Sequence, residues 1–257
     1  MTSPLRNPQF FYTTTALPCP YLPARMERKI LADLAVPDAD TLHSRLSARG
    51  FRRSHTLAYA PLCEGCSACI PIRLPVVAFT PNRTQKRVWN RNADLTAHLL
   101  PAVATGEQYT LFRDYLNTRH AEGEMANMGP RDYRIMVEET TVDTQIIEFR
   151  TPDQKLVAVS LTDTLDDGLS AVYSFYDPQQ TTRSLGVYVV LFLIRQTLLL
   201  GRPYLYLGYW IPGSPKMAYK SRFRPAEILR QDVWQTLEPD QPVCTGRNAL
   251  FPDAPLF

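Results

Sequence analysis

The stretch that decides the fold lies between residues 145 and 210 and contains QIIEFR (145–150), KLVAVSLTD (155–163), LSAVYSFY (169–176), SLGVYVVLFLIRQTLLL (184–200) and YLYLGYW (204–210). The first three segments alternate apolar and polar residues and predict strands of a meander, with a turn at Asp166-Asp167-Gly168. The fourth segment is almost wholly apolar and predicts a buried helix. The last predicts a central strand, which gives an α+β fold.

The order of meander, helix and strand is that of the acetyltransferase-like GNAT fold, so we expect such a domain over residues 106–257. A helix is expected first, at residues 111–121. Residues 1–105 differ in charge, because they carry 13 Lys or Arg against 6 Asp or Glu, whereas residues 106–257 carry 15 against 19. We therefore expect a smaller, basic, cysteine-containing N-terminal domain. A basic domain favours a polyanionic partner, although a basic surface kept for solubility would look the same.

The N-terminal part contains three predicted helices. Residues 26–34 and 40–50 predict the first two, and Gly50 ends the second. The third is expected to begin with Thr80 as its N-cap. This third helix carries four basic residues and Trp89. Arginines at every fourth position lie on one helical face and could bind a phosphate backbone, and an indole ring could stack on a base. The alternative is an ordinary solvated face. The candidates for binding the backbone of a nucleic acid are Arg52, Arg53, Arg83, Lys86, Arg87 and Arg91.

The cysteines form the clearest cluster of possible metal ligands. PLCEGCSACIP places three of them within seven residues, and PCPYLP supplies a fourth. Four thiolates would close a zinc site or hold an iron–sulfur cluster. Reduced thiols packed in a core are the equal alternative. The four candidate ligands are Cys19, Cys63, Cys66 and Cys69, whereas Cys244 is expected to be structural.

Several classes of protein are disfavoured. The chain has no G-x-S-x-G nucleophile motif, no phosphate-binding loop and no apolar run of about 18 residues that could span a membrane. The N-terminus shows no secretory signal, which predicts a cytoplasmic protein with neither membrane nor DNA as partner. The turn RSLGVY (183–188) is similar to the R-x-x-G-x-G/A turn that holds the pyrophosphate of acetyl-CoA, but Tyr188 replaces its last small residue and would hinder that cofactor.

Six separated motifs resemble the aminoacyl-tRNA-protein transferases, and specifically their short bacterial branch that transfers leucine. They are FYTTTALPCPYLP, GFRRS, CSACIPIR, LSAVYSFYDP, SLGVY, and YLYLGYW followed by PKMAYK. The resemblance covers residues 10 to about 235 in consistent order. It implies transfer of leucine from leucyl-tRNA to proteins that begin with Asp or Glu, which marks them for degradation by the N-end rule. Arginyl transfer, acetyl transfer by a GNAT enzyme, and RNA binding without catalysis are the alternatives.

The implied reaction needs no cofactor for the transfer step, because the aminoacyl ester is already activated. The enzyme must align amine and ester, accept a proton and stabilise an oxyanion. Asp163 and Asp177 are the candidate proton acceptors, although Asp177 before Pro178 could equally form a turn. Tyr173 and Tyr176 are candidate donors to the oxyanion or ribose, unless they are core residues. The candidates for substrate binding are Tyr188, Tyr209 and, for an acidic N-terminal side chain, Lys216, Lys220 and Arg222, three cations that could also be surface charges or contact the acceptor end of the tRNA.

Overall fold

The computed structural model describes residues 9–212, 214 and 217–238. The first half of the chain contains β1 Phe11–Thr13, β2 Leu17–Pro18, β3 Met26–Glu27, β4 Lys29–Asp33, α1 Ala39–Ala48, β5 Arg52–Ser54, β6 Leu57–Pro61, β7 Ile70–Pro75, α2 Arg83–Arg91 and β8 Thr96–Pro101. The second half contains α3 Gly106–Arg119, α4 Pro130–Glu138, β9 Thr144–Arg150, β10 Leu156–Leu165, β11 Gly168–Tyr176, α5 Leu185–Leu199, β12 Tyr204–Trp210, β13 Glu227–Arg230 and β14 Val233–Thr236. Short 3-10 helices cover Glu124–Asn127, Thr181–Arg183 and Ala218–Arg222.

An eight-stranded sheet with the order β14-β13-β7-β12-β11-β10-β9-β8 organises the molecule. The strands β9, β10 and β11 form the expected antiparallel meander, and β12 returns through α5 to pair with β11 in parallel. Helix α5 is buried on this sheet because its side chains are apolar nearly all round. The mixed α/β architecture agrees with the prediction for residues 145–210.

The large sheet takes strands from both sides of the boundary that we placed between residues 105 and 106. Strand β7 pairs with β12 and β13, and β8 pairs with β9 at the edge. Strand β7 fits there because four of its six residues are buried, as expected for a strand inside a sheet, and it pairs with β12 in antiparallel orientation. Sequence patterning had not assigned this strand, since a short apolar run between loops carries little periodicity.

A second, four-stranded antiparallel sheet with the order β1-β4-β6-β5 lies in the N-terminal part. One of its faces is buried with α1, where Ile30, Ala32 and Ala58 form a small core of their own. The prediction of a helix over residues 26–34 is therefore wrong, because these residues form strands β3 and β4. Its residues are adequate helix formers, but pairing of β4 with β1 and β6 on both sides overrides that weak preference.

Two helices begin where capping side chains allow, and not where we expected. Helix α2 starts at Arg83 because the side chain of Asn82 accepts a hydrogen bond from the Gln85 backbone amide. The side chain of Gln85 in turn accepts one from the Asn82 backbone amide. Thr80 is therefore not its cap. Helix α3 starts at Gly106 with the same reciprocal arrangement between Thr105 and Gln108. No helix in the described ranges is both long and apolar enough to cross a membrane.

Candidate functional site

The parallel strands β11 and β12 separate after three residues, and we call the gap between them in the middle of the large sheet the cleft. Their pairing covers residues 168–170 and 204–206 only. Beyond it, residues 171–174 of β11 are all half-buried, although this strand lies inside an eight-stranded sheet. Diverging carboxyl ends of parallel strands are a common place for a ligand site.

Arg52 of β5 fills the base of this cleft. Its Nη2 donates to the carbonyl oxygens of Ala171 at 2.9 Å and Val172 at 2.7 Å. Two carbonyls that lost their partner strand are thereby satisfied, as buried backbone oxygens require. On the opposite side of the cleft, Gly208 faces the Arg52 guanidinium so closely that a Cβ atom would overlap it.

Lys220 places a second positive charge at the cleft. Its Nζ is buried and donates to the carbonyl oxygen of Tyr209 at 2.6 Å. Burial, together with repulsion from Arg52, lowers the pKa of Lys220 to about 7. Within the described ranges neither cation forms an ion pair with a carboxylate. Lys220 is buried and Arg52 half-buried without a described counter-ion, which is costly, and an anionic ligand would offset that cost.

Four tyrosines lie on the elements around the cleft, and Tyr219 is the one nearest to Arg52. Tyr173 and Tyr176 lie on the separated part of β11, and Tyr115 of α3 contacts the Tyr176 ring edge-on at 4.9 Å between centroids. Tyr219 lies within electrostatic range of Arg52, Tyr176 and Tyr115. Burial raises the pKa of Tyr173 to about 12, so its hydroxyl remains protonated as a hydrogen-bond donor at neutral pH. The Tyr173 ring contacts Phe112 and Phe175, which is the core position that we weighed, whereas Tyr176 lies with Tyr115 and Tyr219.

Asp177 lies one residue beyond Tyr176 on another groove. Its Oδ2 is 2.9 Å from Lys155 Nζ, and its Oδ1 accepts a hydrogen bond from the Gln179 amide, which is the turn-forming role that we weighed. Together with Lys155 and Asp177, residues of α3 including Glu107 line a groove of about 630 Å³.

Asp163 is completely buried and its carboxylate is fully engaged. Arg53 donates to both oxygens at 2.7 and 2.8 Å, His43 lies 3.0 Å from Oδ2, and Thr144 donates to Oδ1. Burial alone would raise the pKa of Asp163, but the hydrogen bonds from His43 and Arg53 outweigh it and lower the pKa to about 2. This geometry offers no approach to an incoming amine and favours a structural role. Arg53, predicted to contact tRNA, is enclosed with it and cannot reach a phosphate.

Two further predicted substrate contacts point into the core. The Tyr188 ring packs between Trp89 and Phe149, at centroid distances of 5.5 and 5.6 Å, so it lies away from the helix N-terminus that it was expected to obstruct. The Tyr209 hydroxyl donates to the carbonyl oxygens of Gly50 and Tyr59. Both rings therefore stabilise the fold.

Helix α2 carries its basic side chains as predicted. Arg83, Lys86 and Arg87 are exposed, and the guanidinium of Arg91 is exposed while donating to the Thr182 carbonyl. The indole of Trp89 is not available to stack on a base, because Tyr188 and Arg195 cover it. Arg222 is exposed beside the cleft, whereas Lys216 and Cys244 lie outside the described residues.

The four cysteines lie within electrostatic range of one another. Burial, and then the neighbouring thiols, raise the pKa of Cys69 to about 12, and burial also raises that of Cys63. Cys63 contacts the backbone of Arg28 through its sulfur. In the described part of the chain no three His, Cys, Asp or Glu side chains stand close enough to hold a metal ion. Zinc or an iron–sulfur cluster at this place stays a prediction.

Sequence reasoning had assigned Arg52 to tRNA and had not connected it with the cleft. The one available signal was Gly208 inside the YLYLGYW strand, because a glycine within a strand often marks a close approach by another group. Tyr115 and Tyr219 carried no such signal, since tyrosines on amphipathic helices are usually core residues.

Substitution of Gly208 by alanine tests this packing. The residue has a φ of +76°, and the added methyl would displace the Arg52 guanidinium. We expect the free energy of unfolding to fall by about 1–3 kcal/mol, measured by urea denaturation. Gly106→Ala is the matched control, because nothing surrounds its Cβ position, and it should leave stability unchanged or raise it slightly. Equal stability of the two variants would refute the close approach of Arg52.

Comparison with known proteins places the chain in a family. Residues 17–87 match the arginine-tRNA-protein transferase N terminus and residues 107–230 match the C terminus of the same family. A protein of Gluconacetobacter diazotrophicus is 60% identical over 93% of this chain and 92% of its own, and one of Granulibacter bethesdensis is 56% identical over 92% and 88%. Both are named aspartate/glutamate leucyltransferase.

Solved structures resemble the chain only distantly. L-PGS from Bacillus licheniformis aligns with a TM-score of 0.44 at 12% identity over 55% of this chain and 45% of its own, and FemX with 0.43 at 8% over 70% and 62%. No conclusion is drawn from likenesses this weak. The sequence matches, in contrast, cover most of the chain, including the strands that form the cleft. The chain therefore belongs to the arginine-tRNA-protein transferase family and is an aminoacyl-tRNA-protein transferase.

Proposed function

We propose that the chain transfers leucine from leucyl-tRNA to the α-amino group of proteins that begin with Asp or Glu, and so marks them for degradation under the N-end rule. The pair of cations at the cleft, Arg52 and Lys220, carries this proposal. Both lack a carboxylate partner among the described residues, so the cleft suits an acidic side chain. The names of the relatives agree with this substrate class.

The charges of Arg52 and Lys220 also affect which aminoacyl group the cleft can accept from the tRNA. An arginyl group entering this cleft would meet two like charges and no described carboxylate, whereas a leucyl group would meet the half-buried Val172 and Tyr173 of β11. Like charge at short range disfavours a partner by repulsion and desolvation. The charge pattern therefore supports leucyl transfer over arginyl transfer, and the acceptor side chain supplies the missing anion.

The chemistry follows from this placement. The neutral α-amine of the acceptor attacks the ester carbonyl, the C–N bond forms, the C–O bond to the ribose breaks, and the ribose oxygen leaves with a proton. Tyr173 and Tyr176 are proposed to donate to the developing oxyanion. The predicted proton acceptors do not lie at this cleft, because Asp163 is enclosed and Asp177 is paired with Lys155 on the other groove. The amine proton is therefore proposed to pass to the departing ribose oxygen.

Helix α2 is proposed to bind the tRNA backbone through Arg83, Lys86, Arg87 and Arg91. Their exposure supports this, and so does the position of the helix beside the cleft. The Gln85 side chain donates to the Arg222 carbonyl at 3.2 Å, which ties α2 to the 3-10 helix that carries Lys220. Phosphates held on α2 would therefore lie next to the two cleft cations.

We also propose a fold class, a cellular location and a metal site for the chain. We place the strands around the cleft in a GNAT-like domain, with a smaller cysteine-containing domain before it, in a cytoplasmic protein. Cys19, Cys63, Cys66 and Cys69 would hold zinc or an iron–sulfur cluster, which would tie together two loops of the N-terminal part. The transfer step itself uses no cofactor.

One experiment tests donor, acceptor and reaction together. The protein is mixed separately with leucyl-tRNA or arginyl-tRNA and with peptides that begin with Glu, Ala or Lys, and each peptide is followed by mass spectrometry. We expect a gain of one leucine on the Glu peptide alone. Addition of arginine, retention of acetyl-CoA, or binding of uncharged tRNA with no peptide product would each contradict the proposal.

The lowered pKa of Lys220 predicts a pH effect on acceptor binding. At a pKa of about 7, Lys220 loses its charge as pH rises from 6.5 to 8.5, and a bound carboxylate would favour the protonated form. We expect a Glu-initiated peptide to bind up to about ten-fold more weakly at pH 8.5 than at pH 6.5, with proton uptake detected by calorimetry in two buffers. Lys220→Met should remove most of the uptake. An unchanged uptake in this variant would assign it to the peptide amine.

A further inference from the structure

A row of side chains crosses the small sheet and ends at the cleft. In the strand register, Tyr12 of β1 lies opposite Leu31 of β4, Leu31 opposite Tyr59 of β6, and Tyr59 opposite Arg52 of β5. Directly opposed residues of antiparallel strands project from the same face. These four side chains therefore form a continuous line on one face of the sheet, and its last member is the arginine in the cleft.

This face is more exposed than the other face of the same sheet, and it is most exposed at its outer end, at Tyr12. Tyr12 is 58% exposed, and Leu31, Tyr59 and Arg52 are half-buried. Their neighbours along the strands, such as Ala32, Ala58 and Arg53, point to the opposite face and are enclosed. A partly exposed line of two tyrosines and a leucine is more apolar than an ordinary sheet surface and indicates a contact with another molecule.

The row is physically continuous with the cleft. The Tyr59 ring contacts the Tyr209 ring at 6.3 Å between centroids, and the Tyr209 hydroxyl donates to the Tyr59 carbonyl oxygen at 3.2 Å. Lys220 in turn donates to the Tyr209 carbonyl. The row therefore adjoins the cleft at Arg52 and Tyr59 and leads outward from there over Leu31 to Tyr12.

We propose that this row is a docking track for the acceptor polypeptide, and that it binds the residues that follow the acidic N-terminal one. The inference rests on the proposed function, since Arg52 must hold the N-terminal side chain. Four adjacent strands span three spacings, about 14 Å, which an extended peptide covers in about four residues. Acceptor residues at positions two to five should therefore contact the track, and apolar or aromatic residues should fit it best.

The charges favour a polypeptide over the 3′ end of the tRNA on this track. The row holds one cation, Arg52, which already lies at the cleft, and Lys29 over the Tyr59 ring is paired with Glu27. Four basic side chains lie on α2. Helix α2 is tied to the 3-10 helix of Lys220, while the small sheet reaches the cleft through Arg52. RNA binding depends on phosphate contacts, which α2 supplies in larger number. The tRNA and the acceptor would thus approach by different routes.

The test measures leucine transfer to peptides that begin with Glu and contain two to eight residues. For the native protein we expect the acceptor KM to fall as the peptide grows to about five residues and then to stay constant. Tyr12→Ala should raise the KM of the five-residue peptide about ten-fold, with no change for the dipeptide or for leucyl-tRNA. Phe11→Ala is the matched control, because Phe11 lies on the opposite face of β1 against Phe51 and should leave that KM unchanged.

Each outcome decides the point. If Tyr12→Ala raises the KM of leucyl-tRNA and spares that of the peptides, the row binds the tRNA end and the inference is wrong. A KM that does not depend on peptide length also overturns it, and so does an equal effect of Phe11→Ala. If the native protein transfers no leucine to any Glu peptide, the proposed function itself fails. Failure of the docking inference alone would leave that transfer by the native protein intact.

Discussion

Replacement of Arg52 by methionine is expected to lower kcat/KM for a Glu-initiated peptide by about 100-fold or more. The guanidinium supplies the charge at the base of the cleft and also satisfies the carbonyl oxygens of Ala171 and Val172. Loss of one partner from a hydrogen-bonded charged contact costs about 2–5 kcal/mol, or about 30-fold to several thousand-fold, and the middle of that range is about 400-fold. Steady-state transfer assays with saturating leucyl-tRNA measure the effect.

Selectivity separates recognition from damage to the fold. The native protein should prefer a Glu peptide over the matching Gln peptide, and Arg52→Met should reduce that preference, whereas a partly unfolded enzyme would lose activity toward both equally. Arg52→Lys keeps the charge but offers a single ammonium to two carbonyls, so we expect an intermediate loss. Arg83→Met on the exposed face of α2 is the control and should alter the KM of leucyl-tRNA alone. An unchanged Glu preference in Arg52→Met would remove Arg52 from the acceptor site.

Asp163→Asn is expected to be the most destabilising single change among the predicted site residues. It would leave the buried Arg53 guanidinium without its bidentate carboxylate. Removal of one member of a buried ion pair costs about 3–5 kcal/mol, measured here by urea denaturation at pH 7. Asp143→Asn, an exposed carboxylate one residue from Thr144, should leave stability within about 0.5 kcal/mol.

The pH dependence and a double variant complete this test. Because the pKa of Asp163 is lowered to about 2, its contribution is present above the unfolded value near 4 and is lost as pH falls toward 2. The difference in stability between native protein and Asp163→Asn should therefore shrink over that interval. Arg53→Met combined with Asp163→Asn should be less destabilised than the two single effects added. Strict additivity would argue against the buried pair.

The sequence by itself determined the framework around the cleft. The alternating segments at 145–150, 155–163 and 169–176 predicted strands, and the apolar segment 184–200 predicted a buried helix. The structure has strands at Thr144–Arg150, Leu156–Leu165 and Gly168–Tyr176 and a helix at Leu185–Leu199. The motifs in their order also indicated the family. None of these inferences requires contacts between distant residues, because periodicity and composition are local properties of the chain.

Only the tertiary structure decided which charged residue does what. Arg52 and Arg53 are identical neighbours, yet alternation along β5 sends one side chain to the cleft and the other to Asp163. Their partners lie 110 to 120 residues away in sequence, on β10 and β11. Segment 29–33 likewise became a strand because β1 and β6 pair with it. A charge takes its role from the groups that surround it, and those groups meet only when the two sheets pack together.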